Sequence, residues 1–229
     1  MKKIIILVIF ITAALLVKAQ TAEEVIAKVK AKLEKVNDYE AKGKMKTNVI
    51  FIKAPIANVK IYYKKPNKLR INNESGISFI PKGSMNINLN NIFINTEGFD
   101  LIDMGKEDKT AFRIIKLLPK DENSDVVLST VYVDEQQLLI RKAKTTTKEN
   151  GTYELEMTYG KYAAWGLADK VSFQFNTKDY KLPKGITFDY DDGSKKKNPS
   201  DKLKNKKGEV EIVYSSYIIN KGVSDTVFQ

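Results

Sequence analysis

Ala57-Asn58-Val59-Lys60-Ile61-Tyr62-Tyr63-Lys64 sets Ala57, Val59, Ile61 and Tyr63 against Asn58, Lys60, Tyr62 and Lys64, and Leu69 and Ile71 follow after the turn Lys65-Pro66-Asn67-Lys68. A period of two is that of a strand with one buried face. A turn this short returns the chain beside itself, so the two strands pair antiparallel. Outward from this hairpin, further strand-like runs lie near 40–53, 98–104, 110–118, 126–133, 138–147, 152–162, 170–176, 185–190 and 209–219. Glu149-Asn150-Gly151 is the clearest hairpin turn among them. The spacing predicts an α+β chain with about 10–11 antiparallel strands.

Upstream the period changes. Thr21-Ala22-Glu23-Glu24 has the form of a capping box, in which the Thr21 hydroxyl bonds the Glu24 backbone and the Glu24 carboxylate reaches back. Val25, Ile26, Val29, Leu33 and Val36 then recur at helical spacing, opposite Lys28, Lys30, Lys32, Glu34 and Lys35. The predicted helix packs this stripe on the sheet and stops at Asn37-Asp38. In residues 80–96, Met85, Ile87 and Leu89 alternate with Asn86, Asn88 and Asn90 as in a strand, while Met85, Leu89, Ile92 and Phe93 fit a short helix; the favoured reading is a helix or flap over the sheet. Residues 191–208, with Asp191-Asp192-Gly193 followed by seven lysines around Pro199, read as a solvated loop.

Residues 1–19 are expected to be a cleavable export signal, leaving 20–229 as one domain. Lys2 and Lys3 open it, Ile4 to Val17 form its apolar core, and Val17-Lys18-Ala19 offers the cut. As a helix this core rises about 21 Å, short of the roughly 30 Å of a bilayer's hydrocarbon. Ala19-Gln20 offers no cysteine for lipidation, so an exported, soluble product is expected. Losing Lys2, Lys3 and Lys18 takes the formal charge from +11 to +8.

The whole chain has no histidine and no cysteine. That removes Ser-His-Asp and Cys-His catalysis and the ordinary zinc site. Apart from Arg70, Arg113 and Arg141 the positive charge is lysine, whereas nucleic-acid and phosphate readers favour arginine forks. No nucleic-acid partner, cofactor or metal is expected. The remaining enzymatic option is carboxylate chemistry by Asp179, Asp189, Asp191 and Asp192, in a setting where turn-forming aspartate is commonplace. A sheet of this many strands must curl, and its concave apolar face needs a filling: a second layer, helices or a ligand.

Two quoted segments carry a resemblance. Glu34-Lys35-Val36-Asn37-Asp38-Tyr39-Glu40-Ala41 closes the helix, and Ile61-Tyr62-Tyr63-Lys64-Lys65-Pro66-Asn67-Lys68-Leu69-Arg70 follows some twenty residues later. Together they resemble the opening of LolA-type periplasmic lipoprotein carriers, in a Val-x-x-aromatic-x-Ala step and an aromatic-basic-Pro-Asn turn. Ile114 to Lys120, Val131 to Asp134 and Leu182 to Ile186 fit more loosely. The resemblance implies a strongly curved antiparallel half-barrel, an N-terminal helix and a short helical lid over an apolar cavity. It implies a carrier that shelters acyl chains of lipoproteins, or phospholipid, on the way to the outer membrane. An inner-membrane releasing complex and an outer-membrane acceptor would be its partners, and the carrier a monomer.

The family arginine linked to lid closure falls on Lys65, with Arg70 nearby as a substitute, and the basic-aromatic segment expected next is replaced by the asparagine-rich 84–91 stretch. Phe51, Tyr63, Phe79, Phe93, Phe112, Tyr132 and Phe173 are the expected cavity or lid residues. A periplasmic adaptor that senses lipid or lipoprotein through the same fold, without transport, is the alternative.

Overall fold

The computed structural model describes residues 20–49, 52–53, 56–75, 96–149, 151–176 and 207–229. The helix α1 (Ala22–Leu33) begins at the expected capping box, with the Glu24 amide donating to Thr21 Oγ1 at 3.2 Å and the Thr21 amide to Glu24 Oε2 at 3.3 Å. Ala22, Val25, Ile26 and Val29 form its buried stripe.

Among the described residues eleven strands follow: β1 (Asp38–Val49), β2 (Ile52–Lys53), β3 (Ala57–Lys64), β4 (Lys68–Ser75), β5 (Phe99–Lys106), β6 (Arg113–Pro119), β7 (Val126–Asp134), β8 (Leu139–Thr147), β9 (Gly151–Thr158), β10 (Lys170–Asn176) and β11 (Lys207–Ile219). They form one sheet in the order β4-β3-β1-β11-β10-β9-β8-β7-β6-β5, with β2 paired to β1, and every pairing is antiparallel. The N-terminal strands join the C-terminal one at the β1–β11 ladder. β4 and β5 stand at opposite ends of the order and do not pair, so the sheet is an open, curved half-barrel. No helix among the described residues is long and apolar enough to cross a membrane.

α1 lies across the inner face, in contact with β5 and with the 3-10 turn Ala163–Trp165. Beneath it Ile115, Leu117, Val131 and Val133 are fully buried, while the next residues on β7, Thr130 and Tyr132, face away. Alternation therefore holds along the central strands, as one buried face demands.

Several element boundaries differ from the sequence reading. α1 ends at Leu33, before Asn37-Asp38, so Val36 is buried beyond the helix and not on it. The run 40–53 is a strand that folds back: β2 pairs with the end of β1 through Asn48 opposite Lys53. Residues 107–112 are a turn, in which Thr110 Oγ1 donates to Glu107 Oε2 at 2.6 Å and Ala111 takes a positive φ of 55°, so β6 starts only at Arg113. The run 152–162 ends at Thr158. There the chain bends around Asp169, whose carboxylate accepts the Lys161 amide at 3.2 Å. The expected flap at 80–96, except its last residue, the expected strand at 185–190 and nearly all of the 191–208 loop lie outside the described residues.

Candidate functional site

Among the described residues the inner face is not filled throughout. Between α1 and the half of the sheet running from β8 to β4 lies a cavity of about 190 Å³. Its roof is Val29 and Leu33 of α1, its floor Met45, Ile61, Leu155, Met157, Phe173, Val210 and Ile212, and one flank Leu69 and Ile71 of β4. Gly166, Leu167 and Ala168 close another side. Gly166 takes φ +71°, and a Cβ there would stand 3.0 Å from Leu33 Cδ2, so glycine lets the turn approach the helix end. Among the described residues, none that lines the cavity carries a charge.

Tyrosines gather at the end of the cavity beneath the C-terminus of α1. Tyr39, Tyr159, Tyr214 and Tyr217 all line it. Tyr39 packs on Tyr63 and on Tyr217 with ring centroids 5.3 Å apart in each case, and Tyr214 stacks on Tyr217 at 5.0 Å. The Tyr217 hydroxyl donates to the Ala168 carbonyl at 2.7 Å, and the Tyr159 hydroxyl to that of Ile140 at 2.9 Å. Burial disfavours the phenolate of all four: Tyr214 is pushed up to about 12, and Tyr39, Tyr159 and Tyr217 also lie above the usual phenol value, Tyr39 and Tyr217 further raised by neighbouring tyrosines.

The roof is tied down at its exit. Lys65 Nζ donates to the Glu34 carbonyl at 2.5 Å and to Asn37 Oδ1 at 3.3 Å, and its amide to the Asn37 carbonyl at 2.8 Å. A cation at the last carbonyls of a helix is favoured by the helix dipole. From the other side Asn220 grips the same segment. Its Oδ1 accepts the Asn37 amide at 2.7 Å, and its Nδ2 donates to the Lys35 carbonyl at 2.8 Å.

The expected site residues fall in several places. Phe173 forms part of the cavity floor and stacks on Phe175 at 5.3 Å. Tyr63 is buried directly behind Tyr39. Phe112 lies 5.9 Å from the Arg141 guanidinium, which also lies over Tyr159 at 5.4 Å, so Phe112 sits beside the site and not in its lining. Tyr132 lies on the outer face, beneath Lys142 at 5.7 Å. Phe51, Phe79 and Phe93 are outside the described residues. Lys65 holds the helix exit, whereas Arg70 holds the C-terminal turn: its Nη1 donates to the Gln229 backbone oxygen and its Nε to Asn72 Oδ1 at 3.0 Å.

The tyrosine set was not foreseen from the sequence. Tyr214 and Tyr217 have opposite parity in a regular strand, yet both face inward because an extra residue sits opposite Lys42/Gly43.

No family model matches the chain, and no curated protein does. Solved structures similar to it include a LolA superfamily protein from Nitrosomonas europaea, at TM-score 0.57 and 9% identity over 92% of this chain and 98% of that one. A DUF1329 family protein from Desulfovibrio piger aligns at TM-score 0.55 and 12% identity, over 92% of this chain and 98% of the other. A domain described as that of an outer membrane lipoprotein-sorting protein, from Vibrio parahaemolyticus, aligns at TM-score 0.55 and 11% identity, over 90% and 94%. At such identities the likeness is one of fold, and the fold of this chain is LolA-like.

Proposed function

We propose that this protein is an exported, periplasmic carrier that shelters acyl chains of lipoproteins or other lipids in its cavity for transfer toward the outer membrane. The observation that carries this reading is a cavity whose described lining carries no charge and whose roof is a helix held at its exit by polar contacts. The likeness in fold to a lipoprotein-sorting domain and to a LolA superfamily protein supports it, as does the export signal read in residues 1–19.

Such a carrier needs no catalytic residue. Sheltering a chain of about 16 carbons from water gains on the order of 12 kcal/mol, at about 0.8 kcal/mol per methylene, whereas transfer from a bilayer is near neutral. The cavity as it stands is small. If a methylene needs about the 30 Å³ share of a water molecule, 190 Å³ holds about six of them. A longer chain requires α1 to lift, and Lys65 at the helix exit is the proposed latch. Phe173 belongs to the wall, with Tyr63 behind it.

The test is extraction of a triacylated lipopeptide from vesicles. Protein incubated with vesicles carrying labelled lipopeptide, then cleared of vesicles by sedimentation, should hold label in the supernatant. Val171→Trp, which fills the cavity from β10, should cut that label several-fold while leaving the fold's circular dichroism intact. Equal label with the folded variant, or none with the wild type, would contradict the carrier reading.

A further inference from the structure

The hydroxyl of Tyr39 stands apart from those of Tyr159 and Tyr217, which donate to backbone carbonyls. Among the described residues, the Tyr39 hydroxyl has no hydrogen-bond partner, although its ring is fixed between Tyr63 and Tyr217 at the wall of the cavity. Tyr39 is half-buried, so its hydroxyl is open to an acceptor that a ligand brings into the cavity, a bond worth about 1 kcal/mol net.

The surroundings narrow the acceptor. No lysine or arginine among the described residues lines the cavity, so a carboxylate would be buried there without a counter-charge. A bare hydrocarbon would leave the hydroxyl unsatisfied. A neutral carbonyl oxygen meets both conditions.

Resting on the lipid-sheltering reading, we infer that this cavity selects esterified or amide-linked acyl chains over free fatty acids and alkanes, the acyl carbonyl accepting from the Tyr39 hydroxyl at the tyrosine end. The tail then runs over Met157, Phe173 and Ile212 beneath α1. Tyr39 stays a donor at any pH at which the protein folds, because burial and its neighbours Tyr214 and Tyr63 oppose the phenolate.

Displacement of the neutral fluorophore N-phenylnaphthylamine tests this on the purified protein, with methyl octanoate, octane and octanoate at mildly alkaline pH. Each of these chains is longer than the about six methylenes that the cavity holds as it stands, so α1 lifts for all three alike. The wild type should bind the ester about fivefold more tightly than octane, the worth of one ordinary hydrogen bond, and octanoate most weakly. Tyr39→Phe keeps the ring and should erase the ester's advantage with octane unchanged. Equal affinities for ester and octane, or a preference that survives in Tyr39→Phe, would overturn the inference and leave the carrier reading standing. Failure of the fluorophore and of all three chains to bind would overturn the carrier reading itself. Should Tyr39→Phe fail to fold, the wild-type order decides: ester over octane over octanoate supports the assignment, and any other order refutes it.

Discussion

Gly43 and the extra residue opposite it set which tyrosines reach the cavity. A Cβ on Gly43 would stand 2.7 Å from the Val213 carbonyl oxygen, so only glycine lets β1 and β11 approach at the bulge. The register then shifts between Lys42 and Gly43, pairing Tyr214 with Gly43 and Ser216 with Lys42. Tyr217 consequently turns inward and Ile218, at 53% exposure, turns out. A one-residue slip inverts every later side chain, which is why alternation alone misses this pair. A pH prediction belongs at this scale. The pKa values of Tyr39, Tyr159, Tyr214 and Tyr217 are raised by folding, so their stabilisation is complete below the unfolded value near 10.0 and is lost as pH rises through the folded values, about 12 for Tyr214. Part of the tyrosinate absorbance should therefore rise in one step with loss of the far-ultraviolet circular dichroism, above the range of ordinary tyrosines. Smooth titration of every tyrosine near 10 in a folded protein would contradict the buried cluster.

Among the elements, the start and buried stripe of α1 and the β3–β4 turn were legible, though not where α1 and β4 end. The capping box and the stripe Val25, Ile26, Val29 are short-range patterns, and burial uses them as written. The β3 alternation appears directly in its buried residues Ala57, Val59, Ile61 and Tyr63. What was not legible is what meets across the cavity, since the Lys65–Glu34 and Asn37–Asn220 contacts join residues distant in sequence. Lys65 is open to test as the latch on α1. Lys65→Met removes the cation from the Glu34 carbonyl and should cost about 1 kcal/mol of stability. It should also speed exchange of a bound fluorophore several-fold, because α1 lifts more readily. Denaturant midpoints and stopped-flow dissociation rates measure the two effects. An unchanged dissociation rate would remove the latch role and leave Lys65 a helix cap.

For the whole molecule, the open order from β4 to β5 and the helix across its inner face produce a hollow that neither element has alone. The absence of histidine and cysteine pointed away from the commonest catalysis, and the long antiparallel sheet pointed to a concave face. The size and position of the hollow depend on how far α1 covers that face. α1 shields Ile115, Leu117, Val131 and Val133 and leaves the β8-to-β4 half for a guest. The central claim is that this half holds lipid in the cell. Native mass spectrometry of the protein purified from its own envelope without detergent, followed by organic extraction, tests it most directly. The account predicts a mass above that of the bare chain and an extract containing phospholipid or acylated protein. A bare mass that stays unchanged when lipid is added would contradict it.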